Sequence, residues 1–181
     1  MNLGQKAFTL TALMVCNVIH AAESTNYFAI GIGANAPFTF GYTPTLSVYY
    51  GRNLIKFNDW ASLSGEFNAS FLFNQLTYNM TNPTDNNMAI SLVPMYNFTI
   101  TNNLSLNIGI WLGYLVNGYV YAEKNMVPQN SNLNFSDNIG ITYKFSNNII
   151  TIIRISHLSN ANIAMPNPGL SLIHWNIGYS Y

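Results

Sequence analysis

The sequence predicts an all-β protein, an eight-stranded antiparallel transmembrane β-barrel, and three observations lead to that prediction. Only 7% of the 181 residues are charged, against about 25% in an ordinary soluble domain. Hydrophobic residues make up 49%, too large a share for a disordered chain. Apolar residues alternate with small or polar ones along most of the chain, which is the periodicity of β-strands. An apolar exterior around a polar, nearly uncharged interior suits such a barrel.

The N-terminal segment predicts export. Lys6 supplies a positive charge, residues 7–19 are apolar, and Ala21 and Ala22 offer a small-residue cleavage site. We therefore predict a signal peptide over residues 1–22, which is removed, and a β-barrel over residues 23–181. A lipoprotein cleavage site ending at Cys16 is the alternative, although Val15 stands where that site needs a small residue.

The strands follow from the alternation, one after another. We predict an opening strand near residues 27–35 and a second over residues 38–51. Four more cover residues 62–73, 88–100, 104–114 and 135–145, and two closing strands follow, the last ending at Tyr181. Each has about 9–12 residues, which matches a tilted strand crossing the bilayer core. Segments rich in Asn, Pro and Gly lie between them and predict turns.

Alternation alone does not separate a membrane barrel from a soluble periplasmic β-domain, which is the alternative fold. Three features favour the membrane. The polar faces carry almost no charge, aromatic residues gather near strand ends, and the last strand ends in an aromatic residue, as outer-membrane barrels do. We therefore expect a multi-pass protein of the bacterial outer membrane.

Eight strands leave an interior filled by side chains, which argues against a pore. The net charge of zero, with no basic cluster, argues against nucleic-acid binding.

One polar pair stands out near the C-terminus. His157 and Ser159 are two residues apart, so on a strand both project from one face, where an imidazole could activate a hydroxyl. Arg154 and Ser156 lie on the opposite face, which we predict lines the lumen, so His157 and Ser159 would point towards lipid. A polar strand end running into a loop explains the pair equally well. The sequence contains no metal-site spacing, and we expect no metal or cofactor.

The alternation also predicts which charged side chains lie inside the barrel. Glu66 and Lys144 project into the lumen with Arg154, and we expect them to form buried lumenal pairs, because a dry interior requires paired charges. His174 also faces the lumen, where we expect it to be a satisfied interior residue.

Two short runs make the case more specific: His157-Leu158-Ser159-Asn160-Ala161 and Pro166-Asn167-Pro168-Gly169. Together they resemble the signature of the lipid A 3-O-deacylase (PagL) family, a His-x-Ser-Asn-Ala run followed by Pro-Asn-x-Gly. The resemblance implies an eight-stranded outer-membrane esterase that removes the ester-linked 3-O-acyl chain of lipid A. It assigns Ser159 as nucleophile and His157 as general base, with Asn160, Asn162 and Asn167 supporting the loop and the oxyanion.

The resemblance also implies the partners of the protein. We expect lipid A, as part of lipopolysaccharide, to be the substrate and outer-membrane lipids to surround the barrel. A homodimer is possible from the sequence, which does not determine the oligomeric state.

The chain departs from the family at the third catalytic position, where the family's Glu is replaced by Ser171. A tight hairpin at residues 146–148, with Phe145 paired to Ile149, would place Asp137 opposite His157. We therefore expect Asp137 to be the substitute acid, unless it is only an exposed residue at a strand end. The function hypothesis is a serine-type carboxylic ester hydrolase. The alternative is a non-catalytic structural or binding barrel that retains the family scaffold.

Overall fold

The computed structural model describes residues 25–35, 43–73, 87–116, 119–122, 125–128, 131–145, 148–165, 167 and 169–181. The predicted signal peptide over residues 1–22 lies outside these ranges and stays a prediction. The strands are β1 Asn26–Asn35, β2 Pro44–Asn58, β3 Ala61–Leu72, β4 Asn87–Thr99, β5 Leu104–Leu115, β6 Tyr119–Ala122, β7 Asn125–Pro128, β8 Leu133–Lys144, β9 Ile149–Ser159 and β10 Leu170–Ser180. In the part of the chain that the structure describes, no helix is long and apolar enough to span a membrane.

Eight of these strands close into one antiparallel barrel in the order β1-β10-β9-β8-β5-β4-β3-β2. The predicted fold class and strand number are thereby confirmed. The second strand continues to Asn58, beyond its predicted end, while the predicted beginning over residues 38–42 lies outside the described residues. Alternation had placed its end at residue 51, since residues 52–58 carry charged and polar side chains. β6 and β7 were not predicted from the sequence, and among the described residues they pair with each other.

The barrel alternates as a membrane barrel does, with large apolar side chains outside and polar ones inside. On β9 the outward positions include Ile149, Ile153 and Ile155, all exposed. Its inward positions include Arg154 and Ser156, which are buried. Because adjacent residues of a strand point to opposite faces, a one-residue shift would place the charged side of this strand in lipid.

Charges in the interior are paired. Arg154 donates to Glu66, and Tyr27 donates its hydroxyl proton to the same carboxylate. The guanidinium of Arg154 lies 4.7 Å from the ring centroid of Tyr49. Tyr49 in turn shares a hydrogen bond of 3.0 Å with Nδ1 of His174. The expectation of a lumenal Glu66–Arg154 pair is confirmed. His174 is interior as expected, but its hydrogen bond is at Nδ1, and its buried Nε2 has no partner among the described residues.

Lys144, which we expected inside the barrel with that pair, is exposed at the end of β8 and forms no ion pair among the described residues. The end of the strand explains the difference, because Lys144 is the last residue of β8 and its side chain reaches the mouth of the barrel rather than the interior.

The two ends of the barrel differ. At one end, the connections between β2 and β3, β4 and β5, and β8 and β9 are short. Exposed aromatic side chains collect there, as in the pairs Trp60–Phe98, Tyr143–Phe145 and Tyr179–Tyr181. At the other end the connections are longer, and an inward cluster fills the interior with Leu72, Ala89, Leu115, Leu158, Leu170 and Leu172. In the described residues this end is therefore closed by apolar packing.

Candidate active site

His157 lies in the middle of a row of side chains that crosses three neighbouring strands on the outer face. Its register partner on β8 is Asp137, and its partner on β10 is Ser171. The predicted register is therefore confirmed, and so is the hairpin behind it, since the N–H of Phe145 donates to the carbonyl of Ile149 at 2.8 Å. Residues opposite each other in antiparallel strands have side chains close enough to interact.

The imidazole of His157 forms a hydrogen bond with Ser171. Its Nδ1 lies 2.7 Å from Oγ of Ser171, which is buried, while His157 itself is half-buried. Such a bond fixes the plane of the imidazole ring and favours one tautomer. Ser171 thus stands where a third catalytic group would stand, but it is a neutral hydroxyl.

Ser159 follows two residues after His157 and lies half-buried on the same face of β9. Between them, Leu158 points inward, where it is 4% exposed and packs in the apolar cluster that closes the barrel. A well-packed anchor of this kind restricts the motion of the strand on both sides of it. No hydrogen bond joins Ser159 to His157 in the described part of the chain, although apo sites often hold such pairs loosely.

Gly169 borders the other side of the imidazole, and the sequence analysis did not anticipate its role. A Cβ added there would lie 2.9 Å from Cε1 and 3.4 Å from Nε2 of His157. Its φ of +66° is also one that other residues rarely adopt. Glycine is required here for both reasons. The signal in the sequence was its place as the last residue of the Pro166-Asn167-Pro168-Gly169 run, which does not reveal its contact with His157.

The loop between β9 and β10 is held by three asparagines. Oδ1 of Asn167 accepts from the backbone N–H of Asn160 at 3.1 Å, and its Nδ2 donates to Asn162 at 3.1 Å. Asn160 is buried and donates from Nδ2 to the carbonyl of Ala164 at 2.7 Å. The structure therefore brings these predicted residues together as a loop scaffold. The backbone N–H of Asn160 and the Nδ2 groups of Asn160 and Asn167 therefore each donate a hydrogen bond within the loop.

Asp137 lies on the opposite side of His157 from Ser171. It is half-buried, and its Oδ1 has no hydrogen-bond partner among the described residues. A carboxylate on a lipid-facing wall is costly unless something compensates it. The alternative that Asp137 is merely an exposed strand-end residue does not fit, because it stands five residues inside β8 with its Oδ1 shielded from solvent.

A groove on the outer wall begins at Asp137 and His157. Its volume is about 590 Å³, and it crosses four strands towards Tyr96 on β4. Apart from these two polar side chains its outward-facing walls are apolar, formed by Ile108, Ile110, Ile139 and Ile155. The groove could not be predicted from the sequence, because its walls come from four strands that only the folded barrel places side by side.

The described residues contain no group of three or more His, Cys, Asp or Glu side chains that could hold a metal ion. The arrangement of a hydroxyl, an imidazole and a nearby carboxylate suits acyl transfer from an ester or similar carbonyl compound.

Comparisons with known proteins agree with this geometry. A family model described as Lipid A 3-O-deacylase (PagL) matches residues 45–180, and no curated protein sequence matches the chain. The crystal structure of the outer membrane enzyme PagL is similar with a TM-score of 0.59 and 18% identity, covering 84% of this chain and 98% of that one.

Two further solved barrels are similar in fold. The attachment invasion locus protein Ail of Yersinia pestis has a TM-score of 0.54 at 13% identity and covers 88% of this chain and 99% of its own. The N-terminal β-barrel domain of Pseudomonas aeruginosa OprF has a TM-score of 0.54 at 13% identity, covering 87% and 97%. At these identities the solved structures establish the barrel fold of an outer-membrane protein and nothing about the site.

Proposed function

Because the chain belongs to the lipid A 3-O-deacylase (PagL) family, we propose that it hydrolyses the ester-linked 3-O-acyl chain of lipid A, with Ser159 as nucleophile and His157 as general base. The observation that carries the proposal is the oriented imidazole. His157 is hydrogen-bonded to Ser171, Ser159 shares its face of β9, and both lie on the outer wall of the barrel.

The position of the pair in the barrel supports a lipid substrate. In outer-membrane barrels short turns face the periplasm and longer connections face the outside. His157 and Ser159 lie near the end with the longer connections, on the face that meets lipid. We expect the ester bonds of an outer-leaflet lipid to reach the pair there, whereas a soluble substrate would gain nothing from this orientation.

The proposed reaction has two steps. Oγ of Ser159 attacks the ester carbonyl while Nε2 of His157 takes its proton, and the proton is then delivered to the departing sugar oxygen. Water, deprotonated by His157, next attacks the acyl-serine and releases the fatty acid, which restores the serine. Ser171 accepts a hydrogen bond from Nδ1 throughout, so that Nε2 stays available as the base.

The negative oxygen of the tetrahedral intermediate needs donors. The side-chain amides of Asn160 and Asn167 are engaged in the loop, so we assign that role to backbone N–H groups near Asn162. Ala161 and Asn162 both have positive φ values, 52° and 61°. Successive N–H groups in such a turn form a concave anion site. The asparagines then act by holding this turn in place.

The imidazolium that His157 becomes in the first step needs a negative charge nearby to stabilise it. Ser171 orients the ring but carries no negative charge, whereas Asp137, the register partner of His157 on β8, carries a carboxylate. We propose that Asp137 stabilises the imidazolium from that side, in place of the family's Glu. The same departure at Ser171 favours the alternative function, a barrel that keeps the scaffold without catalysis.

Mass spectrometry of lipid A from outer membranes that express the chain tests the proposal. We expect loss of one 3-hydroxyacyl group with the wild type and intact lipid A with Ser159→Ala. The matched control is Ser156→Ala, the same substitution on the same strand but facing the lumen, which should retain deacylation. Unmodified lipid A with all three folded barrels would establish the non-catalytic alternative instead.

A further inference from the structure

We propose that the barrel mouth with the short connections binds an anionic monosaccharide, a single sugar ring that carries a carboxylate or a phosphate. This mouth contains a cavity of about 270 Å³, near the small end of the roughly 300–1,000 Å³ typical of ligand pockets. In outer-membrane barrels the end with short turns faces the periplasm. The Glu66–Arg154 pair lies deeper in the interior, and the apolar cluster closes the other end. The proposal is therefore independent of the proposed function.

One wall of the cavity is a ladder of polar side chains that are bonded to one another across four strands. Asn97 on β4 donates to Oγ of Ser64 on β3 at 2.9 Å, and Asn107 on β5 donates to Oδ1 of Asn97 at 2.9 Å. Thr142 on β8 donates to Oδ1 of Asn107 at 2.7 Å. These bonds hold the wall in one arrangement without a ligand, which reduces the cost of ordering it when a ligand binds.

Hydroxyl groups next to this ladder are available to a ligand. Ser62, Thr99 and Ser105 line the same cavity, and none of the three forms a side-chain hydrogen bond with another described residue. The register keeps them together, because Ser62 pairs with Asn97 and Thr99 pairs with Ser105. A hydroxyl can both donate and accept a hydrogen bond. The three can therefore bind the hydroxyls of a sugar in either direction.

The other wall of the cavity is apolar. Ile150 and Ile152 on β9 line it and are 4% and 1% exposed, and Tyr27 packs against them. The hydroxyl of Tyr27 already donates to Glu66, so its ring is what remains for a ligand. A sugar ring has an apolar C–H face and a polar hydroxyl edge, which match one wall each. An acyl chain in this cavity would instead leave the polar wall without partners.

Lys144 provides the charge at the rim. Among the described residues that line the cavity it alone is charged, and it forms no ion pair with a described residue. Its backbone is fixed to the β4–β5 turn, because its N–H donates to the carbonyl of Asn103 at 2.8 Å and its carbonyl accepts from Nδ2 of Asn103 at 2.8 Å. An ammonium group held there favours a sugar with a carboxylate or phosphate over a neutral one.

Amide NMR of the isotope-labelled barrel in detergent micelles tests the proposal, with N-acetylmuramic acid and glucose 6-phosphate as probes. We expect saturable shifts at the amides that line the cavity with one or both of them. Binding of the first alone would identify a cell-wall glycan as the source of the ligand, and binding of the second alone a free sugar phosphate. Glucose and inorganic phosphate should each bind at least tenfold more weakly. Equal binding of either one, or no saturable shift with both probes, would overturn the proposal.

Two pairs of variants locate the site. Lys144→Gln should weaken binding at least tenfold, whereas Arg52→Gln, which removes an exposed cation from the outer face at the same end, should bind within twofold of the wild type. Ser105→Phe fills the cavity and should abolish the shifts. Leu104→Phe adds the same ring on the outer face one residue away and should retain them. Equal losses within both pairs would also overturn the proposal.

Discussion

At the residue scale, the neighbours of His157 determine how well the imidazole can act as a base. When an imidazole takes the proton of a serine, it becomes a cation that a carboxylate stabilises and a hydroxyl only solvates. Ser171 holds the ring at 2.7 Å from Nδ1, so orientation is provided on one side. Among the described residues beside His157 in the sheet, the charge comes from the other side, from Asp137.

Replacing Asp137 tests this division of roles. We expect Asp137→Asn to lower the kcat of deacylation about tenfold or more with little change in KM, because the imidazolium loses its counter-charge while the substrate surface is kept. Adding Ser171→Glu to the same chain should restore much of the rate, since it supplies a carboxylate on the Nδ1 side. The measurement is the initial rate in detergent micelles.

The matched control for this experiment is Asp59→Asn, the same substitution in the exposed turn at the opposite end of the barrel, where Asp59 pairs with Lys56. It should behave as the wild type. A rate for Asp137→Asn within twofold of the wild type, with the barrel folded, would mean that Asp137 does not support His157.

At the element scale, the proposed mechanism makes the β9–β10 loop part of the site rather than a connection alone. The asparagine scaffold places Gly169 against the imidazole, and the apolar cluster behind Leu158 holds the strand beneath it. The loop is built from side-chain to backbone hydrogen bonds, which keep an irregular segment in one conformation.

Gly169→Ala should therefore reduce deacylation about tenfold or more while the barrel still folds, because the new methyl group meets Cε1 of His157 and φ is positive. Initial rates, together with the gel mobility of folded barrel, measure the effect. Gly65→Ala on β3 is the control, since its nearest added contact is the flexible side chain of Leu54 at 3.3 Å. Equal activities of the two variants would show that the close approach has no catalytic consequence.

At the scale of the whole molecule, the buried Glu66–Arg154 pair links strands on opposite sides of the barrel. Both side chains are at most 1% exposed, and Tyr27 and Tyr49 complete their surroundings. A pair of this kind costs desolvation when it forms, but breaking it leaves an uncompensated buried charge. Its place in the interior, away from the outer-face site, gives it a structural rather than a catalytic role.

Glu66→Gln should lower the free energy of unfolding by roughly 3–5 kcal/mol, measured by urea unfolding from lipid vesicles. Replacing both residues with Met should recover most of the loss, because no charge then remains buried. Lys56→Gln, which breaks the exposed Lys56–Asp59 pair, should change stability only slightly. A double replacement as unstable as Glu66→Gln alone would mean that the pair itself, and not the orphaned charge, sets the stability.

The sequence by itself determined the barrel, its strand number and the face on which each side chain lies. These follow from local alternation, because the side chains of a strand change sides at every residue. It also determined that His157 and Ser159 share a face, and, through one hairpin, that Asp137 stands opposite His157. The end of β2 and the position of Lys144 were misjudged, since alternation weakens where a strand leaves the bilayer and polar residues become acceptable on both faces.

Only the tertiary structure decided what lies between strands distant in sequence. The bond from His157 to Ser171, the contact of Gly169 with the imidazole and the groove to Tyr96 depend on register and on a loop conformation that no local pattern encodes. The pairing of Glu66 with Arg154 needed closure of the barrel for the same reason. Local alternation specifies which side a residue faces, whereas the hydrogen-bonded closure of eight strands specifies which residues meet there.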